Sequence, residues 1–441
     1  MDVLCIIPPH IPSYFNAGHH LAVFQVAAFL RRNTTESKVY ALDAAALNIT
    51  WKEICDLLVK KPKLIALMND FDGIDTFQRF LTYVKKFTPA SKIITFGRLS
   101  NQIPKFFLQY KIDAIHFSGD YEDGVFSYWK YINNQQSDCP GVLLQTSPDK
   151  EAAPGRYLDP NEWVLPDIND IPYTAYNKMY MNDLNKFCGI PARQELVIPV
   201  ARGCPIGCFY CDVPKMQGKY ERRLSVEETI NYITDSFKQL PFEYISFYSP
   251  TFTLNKLWVM ALCDKFLELN RSYPWKCTTA LSCLSEDLII KMGKAGCVRI
   301  SLGIETMTGA AKNLPKTKQD VQDQLFSVIE TCKKTNIELN AFIMLGLPGD
   351  NPEAVQQTIK FCIENGIRVR PTIYTPYHEM KDNLLPHEVA TYNRQSFIDD
   401  LLPDDVTEKY YNIFYNNKDD KPTAVMNKVK KCSSGLPTTL S

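Results

Sequence analysis

At 441 residues the chain exceeds one typical domain, and its 45% hydrophobic residues suffice for more than one core. Lys plus Arg and Asp plus Glu both total 49, so no global basic field draws it to nucleic acid or to an anionic membrane. No stretch is apolar for long enough to span a bilayer, about eighteen residues.

The opening MDVLCIIPPHIPSYF has an apolar run but neither a charged n-region nor an A-x-A-like cleavage site. The expectation is therefore a soluble cytoplasmic protein with no membrane span. Residues 1–135 alternate strand and helix patterns. Short apolar runs at Val3–Pro8, Lys38–Leu42, Leu64–Met68, Lys92–Phe96 and Ala114–Phe117 alternate with helical spacing such as His20–Arg31. This predicts an α/β doubly wound parallel sheet, whose ligands sit beyond the carboxyl ends of the strands. From 136 to 192 periodicity weakens and prolines recur, as in a linker.

A second alternating series follows over 193–378. Strands are expected at Glu195–Ala201, Glu243–Tyr248, Trp275–Thr279, Val298–Gly303, Glu338–Leu345 and Arg370–Thr375. Helices are expected near Val226–Gln239, Asn255–Asn270, Ser285–Lys294, Lys318–Thr335 and Pro352–Asn365, with Ser225 as an N-cap. Six such units predict a partial (β/α)6 TIM-like barrel with its chemistry in the carboxyl-end loops. Residues 379–441 are expected to be a mostly helical extension that caps the open side of the barrel, followed by a flexible tail. The neighbouring His378 and Glu379 read as an ordinary surface loop.

Of the 14 cysteines, Cys5, Cys263, Cys297, Cys332 and Cys362 sit in apolar or helical patterns and read as small buried hydrophobes. The stretch ARGCPIGCFYCDVP is different, because it places Cys204, Cys208 and Cys211 within eight residues. Structural zinc wants four ligands, usually in two pairs, and no second Cys or His pair stands at that spacing. A disulfide suits a cytosolic chain poorly. What remains is a [4Fe-4S] cluster on three thiolates, with one iron open to a ligand. Gly203 and Gly207 let the loop bend around it.

These residues resemble the radical S-adenosylmethionine (SAM) superfamily, whose signature is Cys-x3-Cys-x-aromatic-Cys with Tyr210 in the aromatic position. RRLSVEE, ISFYSPTFTLN, MGKAGCVRISLGIET and AFIMLGLPGD resemble, in order, later segments of the same family. The resemblance implies that the open iron binds SAM and that an electron through the cluster cleaves a carbon–sulfur bond to give a 5'-deoxyadenosyl radical. It also implies SAM contacts at Phe209, Tyr210, Arg223, Ser249, Thr251, Glu305 and Gly346. The first sheet, with SGDYED at Ser118–Asp123, resembles the cobalamin-binding branch, although no Asp-x-His-x-x-Gly frame is present. That implies cobalamin contacts at Asn69, Asp70, Gly97, Ser118 and Gly119, or else a domain retained only as scaffold.

The implied activity is cobalamin-dependent methylation of an unactivated carbon. Cobalamin-dependent rearrangement or oxidation, cobalamin-free radical SAM chemistry, and a non-enzymatic iron-sulfur electron carrier are the alternatives. For the last of these, Cys277 or Cys283 is a candidate fourth ligand. The implied partners are a small-molecule or peptide substrate and an electron donor such as flavodoxin or ferredoxin. No catalytic acid or base is assigned.

Overall fold

The computed structural model describes residues 1–10, 21–34, 36–148, 152–178, 194–269, 271–307, 314, 315, 318, 322–392 and 403–416. The first sheet contains β1 (Val3–Ile7), β2 (Val39–Asp43), β3 (Leu64–Asn69), β4 (Lys92–Gly97), β5 (Ala114–His116) and β6 (Val142–Leu144) in the order β2-β1-β3-β4-β5-β6. The five leading strands are parallel in the flavodoxin-like order. Strand β6 pairs antiparallel with β5, an edge strand inside the proline-containing segment read from sequence as linker. At three residues between Pro140 and Pro148, it is too short to show a period.

Alternation across the sheet separates two cores. Val3, Cys5 and Ile7 face the helices Leu21–Asn33 and Tyr121–Ile132, whereas Leu4 and Ile6 face Trp51–Leu58 and Ile74–Phe87. Both faces are covered, so β1 is buried along its whole length.

The second unit contains β7 (Glu195–Pro199), the short pair β8 (Ala201–Arg202) and β9 (Arg222–Arg223), β10 (Tyr244–Tyr248), β11 (Trp275–Thr279), β12 (Cys297–Glu305), β13 (Glu338–Leu345) and β14 (Arg368–Ile373). Strands β7, β10, β11, β12, β13 and β14 are parallel in sequential order, while β8 and β9 form a separate antiparallel ribbon. Glu195, Ser246, Lys276, Arg299, Asn340 and Arg370, one from each of the six parallel strands, line a single cavity. The sheet therefore curls around that cavity as the expected partial barrel. Trp275 is fully buried behind it, with Phe247, Phe252 and Phe266 packed on its ring. Ser225 caps the helix Val226–Gln239, its hydroxyl accepting from the Glu228 amide at 3.1 Å.

Of the carboxyl-terminal helices, one departs from the expected place at the open side of the barrel and the other packs at that edge. Val389, on the helix Pro386–Thr391, is fully buried in the core of the first sheet with Tyr377 and Met380, and Asp404–Asn416 packs on Pro352–Glu364 and the edge strand β14. Neither helix lines the cavity. Apolar surface of the first sheet was a stronger attractor than the polar rim of the barrel. The expected tail, 427–441, lies outside the described residues. Among the described residues no helix is long and apolar enough to cross a membrane.

Candidate functional site

The cysteine loop leaves β8 and returns through the helix Val213–Gln217 to β9. Gly203 has φ +82° and a Cβ there would meet the Tyr220 carbonyl oxygen at 2.0 Å, so only glycine fits where the loop departs. Gly207 turns the loop back at φ +71°. The Cys204 amide donates to the Gly218 carbonyl and the Cys211 amide to the Cys208 carbonyl, at 3.2 and 3.0 Å. Cys204 is buried, Cys208 and Cys211 are half-buried, and all three thiols are free. Burial pushes the Cys208 thiol up and the Cys211 thiol up to about 11.

Three unpaired thiols on one preformed loop fit a cubane. Among the described residues no three His, Cys, Asp or Glu side chains converge on one ion. Of the two further cysteines considered as a fourth ligand, Cys277 lines the barrel cavity, and half-buried Cys283 lies near enough for Cys204 to raise its thiol further after burial has done so.

The loop gathers most of the residues expected to meet SAM. The Tyr210 hydroxyl donates to Glu305 Oε1 at 2.9 Å, and Lys318 Nζ donates to both, at 2.8 and 2.6 Å. Glu305 ends β12 in the left-handed region at φ +64°, beside a register shift against β13. Gly303 makes room, since a Cβ there would stand 2.6 Å from Glu305 Oε1 and 2.7 Å from Lys318 Nζ. Burial and Glu305 push the Tyr210 hydroxyl far up, so it stays a neutral donor. Against the penalty of burial, the Glu305 carboxylate holds the Lys318 ammonium above its ordinary range. Sequence reasoning missed Lys318, which has no motif of its own.

Phe209 is half-exposed with its ring 6.1 Å from that of Tyr374, and Gly346 turns the chain out of β13 at φ +77°. On the other side, Thr251 Oγ1 lies 3.7 Å from Cys204 Sγ. Arg223 reaches the Phe252 carbonyl at 3.0 Å with its guanidinium 4.7 Å over Trp258, while its Nε and Nη1 and the buried Ser249 hydroxyl have no hydrogen-bond partner. Buried donors left without a partner suit an acceptor such as the carboxylate group of SAM.

The residues expected to touch cobalamin are committed within the chain. Asn69 donates to Thr95 Oγ1 at 2.8 Å and accepts from the Ser100 amide at 3.1 Å. Asp70 accepts from the Phe71 amide, and the Ser118 hydroxyl accepts from the Gly155 amide. Gly97 backs onto the Asn69 carbonyl at 2.1 Å and Gly119 onto 155–156 at 2.7 Å, measured from a hypothetical Cβ. Between this edge and the cysteine loop, Arg98 Nε donates to Asp212 at 2.5 Å with its guanidinium 4.2 Å over Tyr377.

SGDYED serves the loop in a way its sequence did not announce. Arg202, one residue before Gly203, forms a two-pronged pair with Glu122 at 2.6 and 3.1 Å and lies 3.2 Å from Asp120. Arg222 holds Asp120 at 2.6 and 3.0 Å, and the Trp163 ring lies 4.4 Å from the Arg202 guanidinium. The first sheet thus grips both strands of the ribbon carrying the cysteine loop. His378 and Glu379 are exposed and 3.7 Å apart, as expected of a surface loop.

Residues 198–362 match the family model for the radical SAM superfamily. An uncharacterized methyltransferase of Pyrococcus horikoshii is 26% identical over 220 residues, which are 50% of this chain and 47% of that protein. The chain thus spans about half the length of the curated relatives it matches. Two solved structures share the fold at lower identity. One is the radical SAM methyltransferase TsrM from Kitasatospora setae with tryptophan and a SAM analogue, at TM-score 0.67, 14% identity and coverage of 85% of this chain and 74% of that one. The other is the cobalamin-dependent SAM radical enzyme OxsB with aqua-cobalamin and SAM, at TM-score 0.68, 15% identity and coverage of 99% and 62%. With the signature loop at the carboxyl end of a six-strand partial barrel and the family match running through β13, the segment 198–362 belongs to the radical SAM superfamily.

Proposed function

We propose that this chain is a cytoplasmic radical SAM enzyme that cleaves SAM reductively at a [4Fe-4S] cluster on Cys204, Cys208 and Cys211, and that it is a cobalamin-dependent methyltransferase acting on carbon. The observation that carries this is the preformed three-thiol loop set against Tyr210, Glu305 and Lys318, with Val213 and Gln217 of the helix that follows the loop lining the barrel cavity. When bound, the cluster supplies the electron that splits a carbon–sulfur bond of SAM, and reduced flavodoxin or ferredoxin replaces it. The chain's own part is orientation. Glu305, fixed by Lys318, offers its second carboxylate oxygen to the ribose hydroxyls. Arg223, Ser249 and Thr251 receive the methionine end, and Phe209 with the Gly346 backbone bounds the adenine. The free state of every described cysteine supports a reducing compartment.

Methyl transfer is supported by the name of the Pyrococcus relative and by the fold shared with TsrM. Cobalamin is supported by a likeness to OxsB that covers both sheets. A second reading, radical SAM chemistry without cobalamin, is favoured by the Arg98–Asp212 bridge and by the internal bonding of Asn69 and Ser118.

The test is anaerobic reconstitution with iron, sulfide and cobalamin, followed by SAM and dithionite. Formation of 5'-deoxyadenosine that is lost in Cys204→Ala, Cys208→Ala and Cys211→Ala supports the core reading, and an intact cluster without cleavage overturns it. Corrin absorbance retained through gel filtration separates the two cofactor readings.

A further inference from the structure

The barrel cavity, about 280 Å³, holds more positive charge than the chain neutralises. Lys276, Arg299 and Arg370 line it, against one carboxylate, Glu195. Lys276 pairs with Glu195 at 2.7 Å, and Arg299 pairs with Glu338, which Arg368 also shares at 3.2 Å. Arg370 forms no ion pair among the described residues; its recorded neighbour is the Phe342 ring, 5.7 Å from the guanidinium. A half-buried guanidinium facing a confined cavity without a counter-charge is costly, and its planar fork matches an oxyanion on two prongs. In the same cavity, Ser249 is buried with its hydroxyl unpartnered, two residues from the Thr251 that touches Cys204.

Size and polarity narrow the occupant. At about 280 Å³ the cavity lies just under the usual range for drug-sized ligands. Ser246, Thr278, Ser301 and Asn340 add polar walls beside the apolar ones of Phe247, Tyr248 and Phe342. A cationic guest meets like charge.

We propose that the substrate is a small polar molecule with a terminal oxyanion, a carboxylate or a phosphate, that pairs with Arg370 inside the barrel while its reacting end points toward the cysteine loop. This rests on the radical SAM reading for the reaction, but the anion site itself is a property of the cavity. The shared chemistry is the oxyanion, and its two sources are separable by probe.

The experiment is anaerobic titration calorimetry of the reconstituted enzyme with succinate, with inorganic phosphate and with uncharged succinamide. We expect one or both anions to bind while succinamide does not. Binding weakens about tenfold or more in Arg370→Gln, recovers partly in Arg370→Lys and is unchanged in the surface variant Lys238→Gln. Thermal unfolding of Arg370→Gln near the wild-type midpoint excludes misfolding as the cause. Succinate binding alone assigns a carboxylate, and phosphate binding alone assigns a phosphate. Anion binding no tighter than succinamide, or equal in Arg370→Gln and wild type, overturns the proposal. The same samples are assayed for 5'-deoxyadenosine. Cleavage without anion binding refutes only the oxyanion site, whereas Arg370-dependent binding without cleavage refutes only the reaction.

Discussion

Replacing Arg202 by methionine tests how the first sheet holds the cysteine loop. The Arg202, Glu122 and Asp120 side chains are 10%, 4% and 3% exposed. Asp120 keeps Arg222 after the substitution, but the two prongs recorded on Glu122 both come from Arg202. Breaking a buried pair by removing one partner costs about 3–5 kcal/mol, chiefly because the other charge stays buried and uncompensated. Loss of the guanidinium over Trp163 adds about 1 kcal/mol. Arg202→Met should therefore destabilise the apoprotein by about 4–6 kcal/mol, lowering the urea midpoint by on the order of 1 M. Adding Glu122→Gln removes the orphaned charge, so the double variant should be more stable than Arg202→Met alone, with a coupling of about 2–3 kcal/mol. Far-UV circular dichroism and tryptophan fluorescence across a urea series measure all four proteins of the cycle. A loss under about 1 kcal/mol in Arg202→Met, or strictly additive losses in the double variant, refutes the account of Glu122 as a buried charge that depends on Arg202.

Gly203→Ala forces a left-handed alanine, costing about 1–2 kcal/mol, and drives its Cβ onto the Tyr220 carbonyl; iron bound per chain after reconstitution should fall severalfold while the far-UV spectrum is retained. Lys318→Met leaves Glu305 without its cation and should weaken SAM binding about tenfold by calorimetry, with cluster content unchanged. His116 is fully buried, and burial lowers its pKa to about 4 although the Asp120 carboxylate opposes the shift. Its folded pKa is depressed, so the unfolded chain takes up the proton first as pH falls below about 6.5, and stability should drop by about 3 kcal/mol between there and pH 4. His116→Phe should flatten that part of the stability–pH curve, measured by urea unfolding at each pH.

What the sequence made legible, and what it hid, divides by the distance over which the signal is written. Helix and strand periods are local, so Trp275–Thr279 and Val226–Gln239 are found where they were expected. The cysteine loop is local too, because a cubane on one short segment needs its thiols close in sequence. The pairs that brace it span 80 residues from Glu122 to Arg202 and 102 from Asp120 to Arg222, and no window contains both partners. Read alone, Glu122 and Asp123 are acidic residues in the first turn of a helix, a sufficient reason for their presence. The cavity did have a local signature that went unused. Strands of a parallel sheet covered on both faces read as unbroken apolar runs, as VLCII and LIALM do in the first sheet. In the second sheet WKCTT, CVRIS and RVRPT instead alternate apolar with polar residues, although these strands too are parallel, the first two of them inside the sheet and the third at its edge. The apolar members, such as Trp275 and Ile300, are buried in the core, and the polar members Lys276, Arg299, Ser301 and Arg370 line the cavity. A period of two in a parallel strand therefore reports a wet interior, and its charged members report the sign of what that interior is shaped to hold.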